Sequence, residues 1–479
     1  ALQAKPIAIV TPRYGPQVLG GAESGLRSWA EQLAARGFCV EALTTGTLDM
    51  AEWRDQIPTG VTELNGVTVR RFATSPVDVG VFHGLMQRAN RGERLRYDEE
   101  LRFMANNLRS DELERHVAAH ADDYACLIYA PYLFGTTYWP ASAAPERAIV
   151  VPCLHDEPAA YMAIFRELLE RSAALLFNAD VERSLALDGL GVTNPYSATL
   201  GFGFPDDMPA GDAERFRARV GIAGPLLLYT GRLESGKNVP LLVEWFTRYK
   251  AERPGPLALA LTGRGDVVLP IRPDVIGLGT LGREELTDAY AACTVICQPS
   301  VNESFSIVIM EAWLQGRPAI VHADCAVTRE HVEQSGGGYA AGSYEAFRDA
   351  LDALLADPAR ADELGARGRA YVRDRYSWSS LLPQIEERIA AFSRRALWPP
   401  AWPSAAWPAP WPSPAGASTT PCWSWSPALR ATCPPPSILS AAGACAGPPR
   451  SPGPATACAQ GCRWSGRPWP GCAASSPPT

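Results

Sequence analysis

Two series of short apolar runs, each run separated from the next by a stretch of helical spacing, constrain this chain more than any other feature. The first series comprises IAIVT (7–11), CVEALTT (39–45), VTVRRF (67–72), CLIYA (126–130), AIVVP (148–152) and ALLFN (174–178). The second comprises LLLYTGRL (226–233), LALALTG (257–263), VIGLG (275–279), VICQPS (295–300) and AIVHA (319–323). Near-continuous apolar runs suit strands buried on both faces, whereas AESGLRSWAEQLAARG (22–37), VPLLVEWFTRYKAE (239–252) and REELTDAYAAC (283–293) are spaced for amphipathic helices. Strands joined through helices pair in parallel, so the pattern predicts two Rossmann-like, doubly wound α/β domains. They join near GFGFPDDMPAGDAERFRARVG, where Gly, Pro and Asp cluster before a short charged helix. A cleft between them is the expected ligand site.

Composition removes several function classes. The 479 residues carry 44 basic against 51 acidic side chains, a formal charge of -7, which argues against a nucleic-acid groove or a polybasic membrane anchor. No run of about 18 apolar residues is present, and ALQAKPIAIV has no basic start followed by a long apolar core. A cytoplasmic protein is expected. Cys39, Cys126, Cys153, Cys293, Cys297 and Cys325 sit in or beside apolar runs and suit buried free thiols, while the other six cysteines follow residue 420 without a zinc-like set. No metal site is expected.

The chain changes character at about residue 396. From there to Thr479 lie 20 of its 43 prolines and 8 of its 14 tryptophans, with no acid, lysine, valine, phenylalanine or tyrosine. Such a stretch has little from which to build a packed core, so it is expected to be a disordered low-complexity tail. Only three of the chain's 44 basic residues are lysines, the bias of a high-GC coding sequence, and a shifted reading frame is the competing account of the tail.

Four motifs carry the chemistry. Gly20 and Gly21 in PRYGPQVLGGAE stand between the first strand and its helix, where backbone can approach a polar ligand. The spacing is not G-x-G-x-x-G, and Thr44 and Thr45 stand where a dinucleotide site places an acid. His155 in VVPCLHDEP follows an apolar strand, the end of an open sheet at which ligands bind. LLLYTGRLESGKNVPLL brings Gly231, Arg232 and Lys237 to a turn before a helix, two cations suited to a pyrophosphate. Finally, VICQPSVNESFSIVIMEAWLQG reads as strand, loop and helix, with Glu303 in the loop and Glu311 in the helix. Eight positions leave those carboxylates roughly 80° apart around a helix axis, so they make separate contacts.

In order and spacing, GGAE (20–23), HDEP (155–158), GRLESGKN (231–238) and the Glu-x(7)-Glu element Glu303–Glu311 resemble the retaining glycosyltransferases of family 4, over about residues 6–392. That resemblance implies the GT-B fold: residues 1–205 an acceptor-side domain, 206–378 a nucleotide-sugar donor domain, 379–395 a helix crossing back, and 396–479 the tail. It implies that Arg232 and Lys237 hold the donor diphosphate, with Gly20, Gly21 and Gly231 close to it. Glu311 would bind the ribose hydroxyls and Glu303 the transferred sugar, which His155 would line. The amides of Phe305, Ser306 and Ile307 would meet sugar and phosphate. Many relatives have glycine where Ser306 stands, which leaves the donor sugar open.

The implied activity is metal-independent retaining transfer of a hexosyl-type sugar to a hydroxyl of a saccharide, lipid-linked or natural-product acceptor. The nucleotide diphosphate sugar is a substrate, and no cofactor is implied. Peripheral membrane contact is expected only for a lipid-linked acceptor. A sugar-nucleotide epimerase and a non-catalytic sugar-nucleotide-binding partner are the competing readings.

Overall fold

A computed structural model describes residues 5–18, 20–48 and 53–395. Both tail readings, together with the six cysteines after residue 420, lie outside the described residues.

The apolar runs form two sheets. In the first, β1 (Ile7–Val10), β2 (Val40–Thr45), β3 (Gly60–Leu64), β4 (Val67–Phe72), β5 (Cys126–Tyr129), β6 (Ala148–Val150), β7 (Ala174–Phe177) and β8 (Ser197–Thr199) take the order β3-β4-β2-β1-β5-β6-β7-β8. The second orders β9 (Leu226–Thr230), β10 (Ala258–Thr262), β11 (Val275–Gly279), β12 (Val295–Gln298), β13 (Ala319–His322) and β14 (Gly338–Ala341) as β11-β10-β9-β12-β13-β14, all parallel. This is the predicted pair of doubly wound α/β domains.

One pairing departs from that expectation. β3 runs antiparallel to β4 through a two-residue turn at Asn65 and Gly66, both at positive φ (51° and 79°). Asn-Gly is the preferred sequence of a type I′ hairpin, so the signal was present in the chain. The thiol expectation needs one correction: Cys39 is exposed, whereas Cys126, Cys153, Cys293, Cys297 and Cys325 are buried. Cys39 directly precedes β2, where its carbonyl accepts from the Ile7 N–H at 2.8 Å while the residue stays exposed.

In each sheet the strand order reverses beside the first strand, so β1 lies between β2 and β5, and β9 between β10 and β12. Loops at the carboxyl ends of those strands therefore open where ligands bind in such sheets. The chain passes between the sheets twice, and the two passages bond to each other: Phe204 N–H donates to the Tyr376 carbonyl at 2.7 Å and Trp378 N–H to the Phe204 carbonyl at 2.9 Å. After the second passage the helix Trp378–Arg395 packs back on β5. Gly201, at φ +79°, lets the first passage lie against aromatic rings, because a Cβ there would come within 2.7 Å of both Phe305 and Tyr376.

Candidate active site

The loop after β12 and the turn after β9 meet through one ion pair. Lys237 Nζ donates to Glu303 Oε1 at 2.7 Å and to the Asn302 carbonyl at 3.1 Å, and both side chains are largely buried. This differs from the arrangement expected from sequence, in which Lys237 and Arg232 converge on one helix start. Arg232 instead pairs with Glu234 at 2.9 Å and stands mostly in solvent, while Lys237 turns across to the neighbouring loop. Asn238, at φ 60°, makes the turn abrupt, and its amide donates to the Pro299 carbonyl at 3.1 Å, fixing the two loops together a second time. Gly231 takes φ 144° with its N–H on the Thr262 carbonyl at 3.1 Å, and the Tyr229 hydroxyl holds the Arg232 carbonyl at 2.7 Å.

Glu303 and Glu311 do occupy different places. The helix Ile307–Leu314 starts after Ser306, which sits in the left-handed region at φ 69°, ψ 72° and does not cap it through its side chain. Such a conformation costs a non-glycine residue about 1–2 kcal/mol. It turns the chain so sharply that the Phe305 ring is 1% exposed, packed edge-on against Phe202, Tyr376 and His331 and stacked with Phe204. The ring therefore belongs to the aromatic cluster where the two passages between the sheets meet.

Glu311, which the resemblance assigns to the ribose hydroxyls, already has partners within the protein. It is buried, with Oε1 3.0 Å from an Arg283 Nη1 and Oε2 accepting from the Tyr290 hydroxyl at 3.0 Å. Burial pushes its carboxyl above the usual range, while Arg283 and Tyr290 pull it back. Arg283 was missed by sequence reasoning. Its signal was a cation at the first position of the helix Arg283–Ala292, where the helix dipole disfavours positive charge.

On the first sheet, β6 ends in a tight turn with Cys153 at φ 55°, and His155 follows it, half-buried. Burial holds the imidazole below its usual pKa, and the charges of Glu157, Lys237, Glu303 and Arg232 all act on it. The Ser304 hydroxyl, next to Glu303, also acts on the Cys153 thiol. The first domain's His155 turn is thus within electrostatic reach of the loop that carries Glu303.

The two glycines of the first motif divide. A Cβ at Gly20 would lie 2.0 Å from Glu23 Oε2, because Glu23 forms a two-point ion pair with Arg13 there (2.7 and 2.6 Å). A Cβ at Gly21, the first residue of the helix Gly21–Ala35, would meet nothing within 4 Å. Open space for a ligand exists at Gly21 alone of the two.

Cavities of about 720 and 450 Å³ in the second domain are lined by none of these residues. Among the described residues no group of three or more His, Cys, Asp or Glu is placed to hold a metal ion, and no helix is long and apolar enough to cross a membrane.

Residues 224–357, covering β9 to β14, match the family model of glycosyl transferases group 1. The chain is 27% identical over 399 residues to a D-inositol 3-phosphate glycosyltransferase of Kineococcus radiotolerans, covering 73% of this chain and 85% of that protein. It is 22% identical over 344 residues to an uncharacterised glycosyltransferase of Methanocaldococcus jannaschii, covering 66% and 80%. In fold it resembles sucrose-phosphate synthase of Thermosynechococcus elongatus (TM-score 0.61, 20% identity, 81% of this chain and 99% of that one). It also resembles the Anabaena protein Alr3699/HepE in complex with UDP and glucose (TM-score 0.59, 18% identity, 81% and 100%).

Proposed function

We propose, for a chain that is a glycosyltransferase of GT-B fold with a group 1 donor-side domain, that it transfers a sugar from a nucleotide diphosphate to a hydroxyl with retention at the anomeric carbon. The observation that carries this reading is the Lys237–Glu303 pair at the carboxyl end of the second sheet, with His155, at the carboxyl end of the first, within reach of both their charges.

In this reading the diphosphate lies along the start of the 307–314 helix, whose first N–H groups and dipole favour an anion. Lys237 leaves Glu303 for the phosphates, and Arg232, already in solvent, swings to the same charge. Both stabilise the negative charge that builds as the C1–O(phosphate) bond breaks, which is the largest demand the reaction makes. No metal is required in this reading, because these side chains provide the cations.

Glu303, released by Lys237, accepts from hydroxyls of the transferred sugar. Neutral at pH 7 because burial lowers its pKa, the His155 imidazole lines the other side of that sugar as a hydrogen-bonding group. The acceptor oxygen forms its bond to C1 on the face the phosphate leaves, and its proton passes to the departing phosphate oxygen. Glu311 meets the ribose hydroxyls through the oxygen now held by Arg283, and Gly21 leaves room for the phosphates beside the first domain.

The complex of the Anabaena protein with UDP makes uridine donors the first to try, and the inositol phosphate glycosyltransferases make a phosphorylated polyol the first acceptor. A thermal-shift screen over UDP-, GDP- and dTDP-sugars tests the donor, since a ligand at 100 times its Kd adds about 2.7 kcal/mol of stability. NMR of the glycoside formed then reports the anomer. No shift with any nucleotide sugar, or an inverted product, would overturn the proposal.

A further inference from the structure

Glu182, in the short helix Asp180–Ser184, is 1% exposed, and among the described residues no basic side chain pairs with it. Its carboxylate is held by main chain only. Leu154 N–H donates to Oε1 at 2.7 Å and Asn178 N–H to Oε2 at 2.6 Å, and the N–H groups of Cys153 and Ala179 act on the same acceptors. Burial pushes its pKa up to about 8, against the pull of those donors. Burying an acid without a cation is costly; this one supplies acceptors to main-chain N–H groups that would otherwise be buried unpaired, so its role is to hold the two turns that carry those groups.

The groups tied together by this carboxylate define that role. One oxygen fixes the left-handed turn at Cys153 and Leu154, directly before His155. The other fixes the start of the 178–181 segment, whose outer side rests on the donor domain. There Val181 N–H donates to Glu330 Oε2 at 3.3 Å, and Ala179 and Val181 pack with Cys325 and Val327. Cys153 closes the triangle, its thiol accepting from the Asn178 amide at 3.4 Å, and the Ser304 hydroxyl next to Glu303 acts on the same thiol.

We propose that Glu182 is a positioning residue, which fixes the 153–155 turn and so the place of His155 relative to Lys237 and Glu303, in register with the donor domain through the 178–181 segment. This rests on the reading above that His155 lines the transferred sugar. Above the Glu182 pKa both of its oxygens accept, whereas glutamine would fill the same space with an NH2 group facing a main-chain N–H, and the turn would have to move.

The test is Glu182→Gln, with Glu182→Asp as the conservative variant. It is read by the Cε1–H NMR signal of His155 among the chain's six histidines, assigned with His155→Gln. E182Q is expected to shift that signal and its titration midpoint. It should keep the affinity for the nucleoside diphosphate found in the donor screen (UDP, GDP or dTDP) within about twofold, and lower kcat for transfer about 10- to 100-fold, the cost of a misplacement near 1 Å. E182D, one methylene shorter but still offering two acceptors, should give the same changes in smaller measure, and it serves alone if E182Q does not fold. An unmoved His155 signal, or a diphosphate affinity that falls in step with kcat, would overturn the proposal. Because the imidazole signal needs no turnover, a moved signal with unchanged transfer sustains the positioning and counts instead against His155 as a sugar contact.

Discussion

Replacing Glu303 by glutamine is expected to tighten the binding of a nucleoside diphosphate, although it removes a residue of the site. Lys237 Nζ lies 2.7 Å from Glu303 Oε1, with side-chain exposures of only 19% and 12%, so a diphosphate reaches that ammonium by breaking or sharing an ion pair. Glutamine leaves an acceptor of the same size in place and takes away its charge. A hydrogen bond to a charged partner is worth about 1.5–3 kcal/mol against about 0.5–1.5 for a neutral one, so the competition weakens by roughly 1–1.5 kcal/mol. At about 1.4 kcal/mol per tenfold, that is a gain of about five- to twelvefold in diphosphate affinity. Loss of a negative charge beside the phosphates acts in the same direction and fades with added salt. Calorimetric titration with UDP, GDP or dTDP measures the gain. The same substitution in a Lys237→Gln background should bring less than about a twofold change, because the competing ammonium is gone. Transfer by E303Q should fall, since the sugar loses its acceptor. Unchanged or weaker diphosphate binding in E303Q, or an equal gain without Lys237, would refute the competition between Glu303 and phosphate for Lys237.

Arg283→Ala should cost about 1 kcal/mol near pH 7.5, a modest figure because the guanidinium is 69% exposed, and less near pH 5. The sign follows from Glu311: burial raises its folded-state pKa, so its ionised form opposes folding as pH rises through that value, and removing Arg283 raises it further. Melting temperatures at the two pH values check this. Gly20→Ala drives a Cβ to 2.0 Å from Glu23 Oε2 and should cost about 1–3 kcal/mol by breaking the Arg13–Glu23 pair. Gly21→Ala should leave the melting temperature unchanged or slightly raised while weakening donor binding, because its Cβ enters space that only a ligand fills. His331 is buried with its pKa driven down to about 3, so the folded protein loses stability as pH falls from about 6.5 towards 3, by at most about 1.4 kcal/mol per pH unit for this proton. His331→Gln should flatten that slope in denaturant titrations.

Much of the architecture was legible because burial on both faces demands continuous apolar runs. IAIVT (7–11) and LLLYTGRL (226–233) contain β1 and β9, which are buried at every residue, and VPLLVEWFTRYKAE matches the helix Val239–Glu252 residue for residue. The β3–β4 hairpin was overlooked although Asn65-Gly66 announced it, since β3 is exposed along most of its length and carries no apolar run. The site was legible as a set of loops. Gly21, His155, Lys237 and Glu303 each stand at a strand end or helix start, where local sequence fixes the backbone.

Partners were not legible, because a side chain reaches its partner across distances in sequence that no local pattern records. Lys237 closes on Glu303, 66 residues away, rather than joining Arg232, and Arg283 reaches Glu311. Glu182 reaches back 28 residues to Leu154, from a segment in which the sequence reading singled out no residue. Periodicity and turn residues thus determined two mainly parallel sheets, their order along the chain and the loops at the strands' carboxyl ends, because these depend on which residues must leave water. Only the tertiary structure decided which charges neutralise one another and which glycine is open, because those outcomes depend on distances of a few ångström between segments that the chain itself keeps apart.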